Sequence, residues 1–181
     1  MADELIITIS GLRGLVDRNL TSAVAAEYAR AFATFLKENR APGKRLSVCI
    51  GRDSRASGQS LSKAAAEGLS QTGINVVDLG IVTTPGVGIM TRHLQCDGGV
   101  IITASHNPIE YNGIKLLSSQ GCAMTADAAG RIKKIFLEKK FSPPDPLGPG
   151  KIESNDRTDD VHIDKVLGIV DAEEVPDVRS S

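Results

Sequence analysis

Tryptophan is absent and aromatic residues make up only 3% of the chain. The core must therefore be aliphatic, and a stacked aromatic platform for single-stranded nucleic acid has little to draw on. An excess of one charge is lacking too: the net charge is −1, which gives no global field to attract a polyanion or an anionic membrane. Any phosphate chemistry has to rest on local groups. The three cysteines, Cys49, Cys96 and Cys122, form no C-x-x-C pair, and their odd number argues against a disulfide framework. Cys49 sits in the apolar run "LSVCI", the setting of a small buried thiol. No apolar run approaches the roughly 18 residues a membrane span needs, and the acidic start "MADELIITIS" lacks the pattern of a signal peptide. The expectation is a cytoplasmic protein with neither nucleic acid nor membrane as partner. Neither G-x-x-x-x-G-K-[ST] nor G-x-G-x-x-G occurs, so nucleotide-dependent kinase chemistry has no motif behind it. No G-x-S-x-G elbow surrounds Ser105, which removes the usual serine-hydrolase signature.

What is present is a soluble globular balance, 41% hydrophobic and 24% charged over 181 residues, enough for one ordinary domain or one domain and a fragment of another. Apolar positions at Ala25, Tyr28, Ala29, Phe32, Phe35 and Leu36 predict one helix face over residues 22–40, capped by Thr21 or Ser22. The run "RLSVCIG" reads as a buried strand, and residues 57–71 as a helix facing inward with Leu61, Ala64, Ala65 and Leu69. A second strand, "INVVDLG", precedes Thr84-Pro85, read as an N-cap with proline at the first helical position. "GGVIITA" and "GIKLLS" are two more strands, and Thr125 can cap a helix with Ala128, Ile132, Ile135 and Phe136 inward. Strands alternating with helices at these spacings predict an α/β sandwich with a largely parallel sheet, whose function collects at the carboxyl ends of the strands.

The segment "FSPPDPLGPG", with four prolines and two glycines, reads as a linker or domain edge. Beyond it, Thr158 is placed to cap a helix with Asp159 and Asp160 in its first turn, favourable at the positive dipole end. Ile163, Val166, Leu167 and Val170 line one face of that helix and need something to pack on. The division expected is a first domain over residues 1–150 and the opening of a second over residues 151–181. The alternative is a C-terminal helix docking back on the first domain.

The segment "TASHNPIEYNGIK" holds the densest set of polar groups. Pro108 fixes its own backbone and biases Asn107 toward an extended form, so Ser105 and His106 are displayed on a stiff loop. Asn112-Gly113 reads as the turn that brings the chain back, carrying Lys115 toward Ser105. A serine, an imidazole and an ammonium in one loop suit phosphoryl transfer, since a phosphoserine carries about −1.5 to −2 charge and needs cationic partners. Arg13, between two glycines in "SGLRG", offers a planar fork suited to phosphate oxygens. In "GRDSRASG", Arg52, Asp53 and Arg55 read chiefly as an internal ion-pair and hydrogen-bond network, and Asp53 alone is too little for a hard-metal site.

Taken together, "SGLRG", "GRDSRASG", "TTPGVG" and above all "TASHNPIEYNGIK" resemble, in order and kind, the α-D-phosphohexomutases, the superfamily of phosphoglucomutase, phosphomannomutase and phosphoglucosamine mutase. The resemblance covers residues 10 to about 140, the whole of that family's first domain. It implies a three-layer α/β/α sandwich with a four-stranded mixed, mostly parallel sheet, and Ser105 as a phosphoserine whose phosphate is also a ligand to Mg²⁺. It implies Lys115 and His106 as acid/base or phosphate-contacting groups, with Arg13 near the phosphoserine and Asn107 in the same phosphate-binding loop. The substrate implied is a hexose phosphate, interconverted between its 1- and 6-phosphates through a bisphosphate. The family has four domains, and this chain matches one. A D-G-D-x-D metal loop does not occur here, the "DGG" at Asp97 lacking the second carboxylate, so the remaining Mg²⁺ ligands and the sugar-choosing loops are expected in domains outside this chain, which are themselves expected partners. The helix around "VHIDKVLGIVD" is similar to the start of the family's second domain. The rival expectation is a stand-alone, non-catalytic phosphosugar-binding or regulatory module.

Overall fold

The structure, a computed structural model, describes residues 4–38, 40 and 45–169. The long apolar stripe forms helix α1, Ser22–Glu38, and Thr21 caps it by accepting the Val24 N–H at 3.3 Å. Residue 39 lies outside the described residues. The four anticipated strands are present as β3 (Ser47–Arg52), β4 (Asn75–Ile81), β5 (Gly98–Ile102) and β6 (Tyr111–Ser118). Between them run α2 (Gly58–Gln71), α3 (Thr84–His93) and, after β6, α4 (Ala126–Glu138). Thr125 caps α4 by accepting the Ala128 N–H.

The sheet has seven strands rather than four, in the order β1-β2-β6-β5-β3-β4-β7. The three additional strands are β1 (Ile6–Thr8), β2 (Gly11–Leu15) and β7 (Ile152–Ser154). They carry little pattern of their own, since β7 is exposed throughout and β2 contains two glycines. Their order comes from pairing with the centre, a tertiary effect that local periodicity does not report. Pairings of β3 with β4 and β5, and of β4 with β7, are parallel. The β1-β2-β6-β5 half is antiparallel.

Alternation along the strands divides the core. Val48, Ile50, Val100, Ile102 and Ile114 pack with α1, α2 and α4 on one face. Cys49, Ile101 and Leu117 pack on the other with Val87 and Met90 of α3 and Val161 of α5 (Thr158–Leu167). The result is the expected three-layer α/β/α sandwich.

Three local readings change. The cap of α3 is Thr83, one residue earlier than expected, and its hydroxyl accepts the Gly86 N–H at 3.2 Å with Pro85 in the first turn. Helix α5 is capped by Arg157 without a side-chain bond. Thr158 lies inside the first turn, with its buried hydroxyl the one unpartnered side-chain oxygen or nitrogen found among the described buried residues. Asn112 and Gly113 sit within β6 and form no turn. The chain reverses earlier, across residues 103–110, and Asn112 is fully buried with its amide donating to Ser57 Oγ at 2.9 Å. Of the residues expected to line one apolar face of α5, Ile163, Val166 and Leu167 are exposed, and Val170 lies outside the described residues.

Candidate active site

Strands β3 and β5 run parallel and end together, at Arg52 and Ile102. The Asp53 N–H donates to the Ile102 carbonyl at 3.0 Å, so both following loops leave from one point. This is the carboxyl edge, where an α/β sheet opens toward ligands. The loop after β5 begins at Thr103, whose N–H donates to the Gly113 carbonyl at 2.9 Å. Two residues on, Ser105 takes the left-handed conformation, φ 58°, a backbone state costing a non-glycine residue about 1–3 kcal/mol. Thr103 Oγ1 accepts the Ser105 N–H at 3.0 Å, and the Asn107 amide nitrogen donates to the Ala104 carbonyl at 2.7 Å. These bonds hold the serine in its unusual conformation while its side chain stays exposed. Ser105 Oγ lies 3.4 Å from His106 Nδ1, and the hydroxyl donates when the ring proton is on Nε2.

Ser105, His106, Asn107, Arg13 and Lys115 all line one cavity of about 270 Å³, together with Thr8, Ser10 and Thr103. The sheet brings them there. Arg13 is placed opposite Gly113 by the β2–β6 register, and Lys115 opposite Ile101 by β5–β6. Gly11 permits the β2 approach. Its φ is 116°, and a Cβ there would stand 2.1 Å from the Ile114 carbonyl oxygen, so only glycine fits. The described lining residues include a guanidinium, an ammonium and an imidazole but no carboxylate. Such a pocket favours an anion, and a guanidinium with an ammonium can neutralise a phosphate dianion beside the hydroxyl.

Thr8 and Ser10 escaped the sequence reading, because they belong to an edge hairpin that pairs only through β6. The polar pair flanking Ile9 just before "GLRG" is the signal that was there to use. The Arg-Asp-Arg segment forms the internal network expected: Arg55 Nε donates to Asp53 Oδ2 at 3.2 Å and Arg52 Nη1 to the Asp53 carbonyl at 3.4 Å. Cys49 is no rival nucleophile. Its thiol donates to Cys96 Sγ at 3.3 Å, and that bond, followed by burial, pushes it well above the ordinary thiol range. Among the described residues no three His, Cys, Asp or Glu side chains gather as a metal site.

The fold and site define an α/β/α domain that displays an exposed serine at the carboxyl edge of its sheet, in a cleft lined by Arg13 and Lys115. The family model described as phosphoglucomutase/phosphomannomutase, alpha/beta/alpha domain I, matches residues 5–143. The chain belongs to that family and carries its first domain. It is 41% identical over 131 residues to the phosphoglucomutase/phosphomannomutase of Thermococcus kodakarensis, covering 72% of this chain and 28% of that protein. It is likewise 41% identical over 140 residues to the phosphoglucosamine mutase of a Thermoanaerobacter species, covering 77% of this chain and 30% of the relative. The crystal structure of a putative phosphomannomutase from Thermus thermophilus superposes with a TM-score of 0.80 at 26% identity, over 96% of this chain and 38% of the other. This chain therefore spans less than a third of the curated relatives it matches. Among the described residues no helix is long and apolar enough to cross a membrane.

Proposed function

We propose that this chain is the phosphoserine-bearing domain of a cytoplasmic phosphohexomutase, interconverting hexose 1-phosphate and hexose 6-phosphate. The observation that carries the reading is Ser105, held at positive φ in the mouth of a cavity lined by Arg13, His106, Asn107 and Lys115. In this reading phosphorylated Ser105 meets a free hydroxyl of a hexose monophosphate. The hydroxyl oxygen forms the new P–O bond, the bond from phosphorus to Ser105 Oγ breaks, and the hydroxyl proton passes to an imidazole nitrogen of His106, with the Lys115 ammonium contacting the phosphoryl oxygens. The bisphosphate then turns over, Ser105 Oγ attacks its other phosphoryl group, and the proton returns. No net phosphate is consumed, and catalysis is mostly positioning and charge neutralisation. Arg13 and Lys115 neutralise the equatorial oxygens, and Asn107 orients the loop amides toward them.

Mg²⁺, when bound, would neutralise developing charge on the transferred group; this chain offers it the Ser105 phosphate, and its other ligands belong to the remaining domains. Residues 151–181 are read as the linker and start of a second domain, of which β7 still pairs with β4 and Val161 of α5 packs against α3, and hexose selection is assigned to later domains. No comparison supports the non-catalytic binding module. The test is interconversion of hexose phosphates by the full-length native chain. Ser105→Ala is expected to lower it at least about a thousandfold, as loss of a covalent nucleophile does, and the 181 residues alone are expected to be inactive. An unchanged rate in Ser105→Ala would move the chemistry off this serine.

A further inference from the structure

Arg55 has five N–H donors, and each meets an acceptor. Nε donates to Asp53 Oδ2 at 3.2 Å. Nη1 donates to the carbonyls of Pro108 at 2.8 Å and Tyr111 at 3.2 Å. Nη2 donates to the carbonyls of Ser105 at 3.1 Å and Asn107 at 2.6 Å. Five donors in a rigid planar fork are the whole capacity of a guanidinium, so none remains for a substrate. Three of these carbonyls belong to the loop that displays Ser105, and the fourth, of Tyr111, to the first residue of β6 where that loop ends. Asp53 completes the circuit, because the Oδ2 that holds Arg55 also accepts from Thr103 Oγ1 at 2.7 Å. That same hydroxyl oxygen accepts the Ser105 N–H.

We propose that Arg55 is a positioning residue for phosphoryl transfer: its guanidinium gathers the carbonyls of Ser105, Asn107, Pro108 and Tyr111 and so fixes where Ser105 Oγ stands. With Thr103 on the amide side and Arg55 on the carbonyl side, the serine peptide unit is gripped from both directions. The left-handed backbone at Ser105 then stays populated without a ligand, and the nucleophile needs no ordering at the moment of reaction. A lysine at position 55 has three donors on a compact ammonium and cannot span carbonyls spread over seven residues, 105–111. Because Arg55 touches no substrate in this scheme, its loss lowers the transfer rate and leaves donor binding intact.

The kinetic test rests on the reading of Ser105 as a phosphoryl acceptor and uses a hexose 1,6-bisphosphate as the probe. The full-length chain and its Arg55→Ala, Arg55→Lys and Thr103→Val variants are each mixed with the bisphosphate, and phosphoryl uptake at Ser105 is followed by mass. Amide hydrogen exchange at Ser105, Asn107 and Tyr111 is measured on the same proteins, with circular dichroism and thermal melting to establish folding. Arg55→Ala and Arg55→Lys are expected to lower the uptake rate about a hundredfold, the scale of a displacement of about 1 Å at a reacting atom. The half-saturating bisphosphate concentration should change less than about twofold, as expected when only transition-state geometry is lost. Thr103→Val, nearly isosteric and the variant that decides the matter if the Arg55 variants do not fold, should slow uptake about tenfold and speed exchange at Ser105. Wild-type uptake in folded Arg55 variants, or a raised half-saturation with an unchanged rate, overturns the proposal, the second result making Arg55 a substrate contact. If the wild-type chain itself takes no phosphoryl group on Ser105, the functional reading fails first. The exchange data then decide the clamp alone: faster exchange at Asn107 and Tyr111 in Arg55→Ala upholds it, and unchanged exchange overturns it.

Discussion

The loop that carries Ser105 and the helix α5 solve opposite problems. The loop is irregular, with Ser105 in the left-handed region, yet Arg55 and Thr103 satisfy its backbone groups from within the chain. Helix α5 is regular, yet it starts on a cap without a side-chain bond and on the unpartnered Thr158 hydroxyl. It also leaves Ile163 55% and Leu167 58% exposed. Irregular backbone held by several converging bonds is a built feature; regular backbone with apolar residues turned outward is a surface that remains to be covered. Among the described residues, the Ser105 loop is held by bonds from within the chain while the outer residues of α5 are left uncovered.

The largest effect is expected where the loop's frame is tightest. Gly11→Ala would put a Cβ 2.1 Å from the Ile114 carbonyl and force a positive φ on alanine. The loss should be about 3 kcal/mol in chemical denaturation, and a loss under about 0.5 kcal/mol would mean that β2 is not fixed against β6. At the start of α5 the sign should reverse. Thr158→Val removes a buried hydroxyl without a partner while keeping the shape that packs near Gly86, so stability should hold or rise by about 1 kcal/mol. A clear fall would show that the hydroxyl has a bond in solution. Smallest is the outer face of α5, where Ile163→Ser with Leu167→Ser should shift the stability of this chain by no more than about 0.5 kcal/mol. A loss as large as that of Gly11→Ala would make α5 part of a closed core and erase the contrast.

Legibility from sequence followed the same divide. Helices α1, α2 and α4 and the four central strands were readable because burial on one or both faces imposes a period, as Ala25, Tyr28, Ala29 and Phe32 show. Strands β1, β2 and β7 were not, because three residues in β1 and in β7 are too short a run to show a period and β2 is interrupted by two glycines. Ser105, His106, Asn107 and Lys115 stood out as one dense segment, and Arg13 through its flanking glycines. Asn112-Gly113 misled because turn chemistry was read from residue type, whereas Asn112 is buried against Ser57 and Gly113 pairs with Arg13. Arg55 was legible as an ion-pair member but not as a loop clamp, since its four carbonyl partners lie 50 or more residues away.

The most direct measurement is the intact mass of the full-length native chain, before and after incubation with a hexose 1,6-bisphosphate, with fragmentation to place any added group. One phosphoryl group on Ser105, absent from Ser105→Ala, is the expected result. An unmodified Ser105 in a chain that nevertheless interconverts hexose phosphates would contradict the assignment of this serine as the phosphoryl carrier.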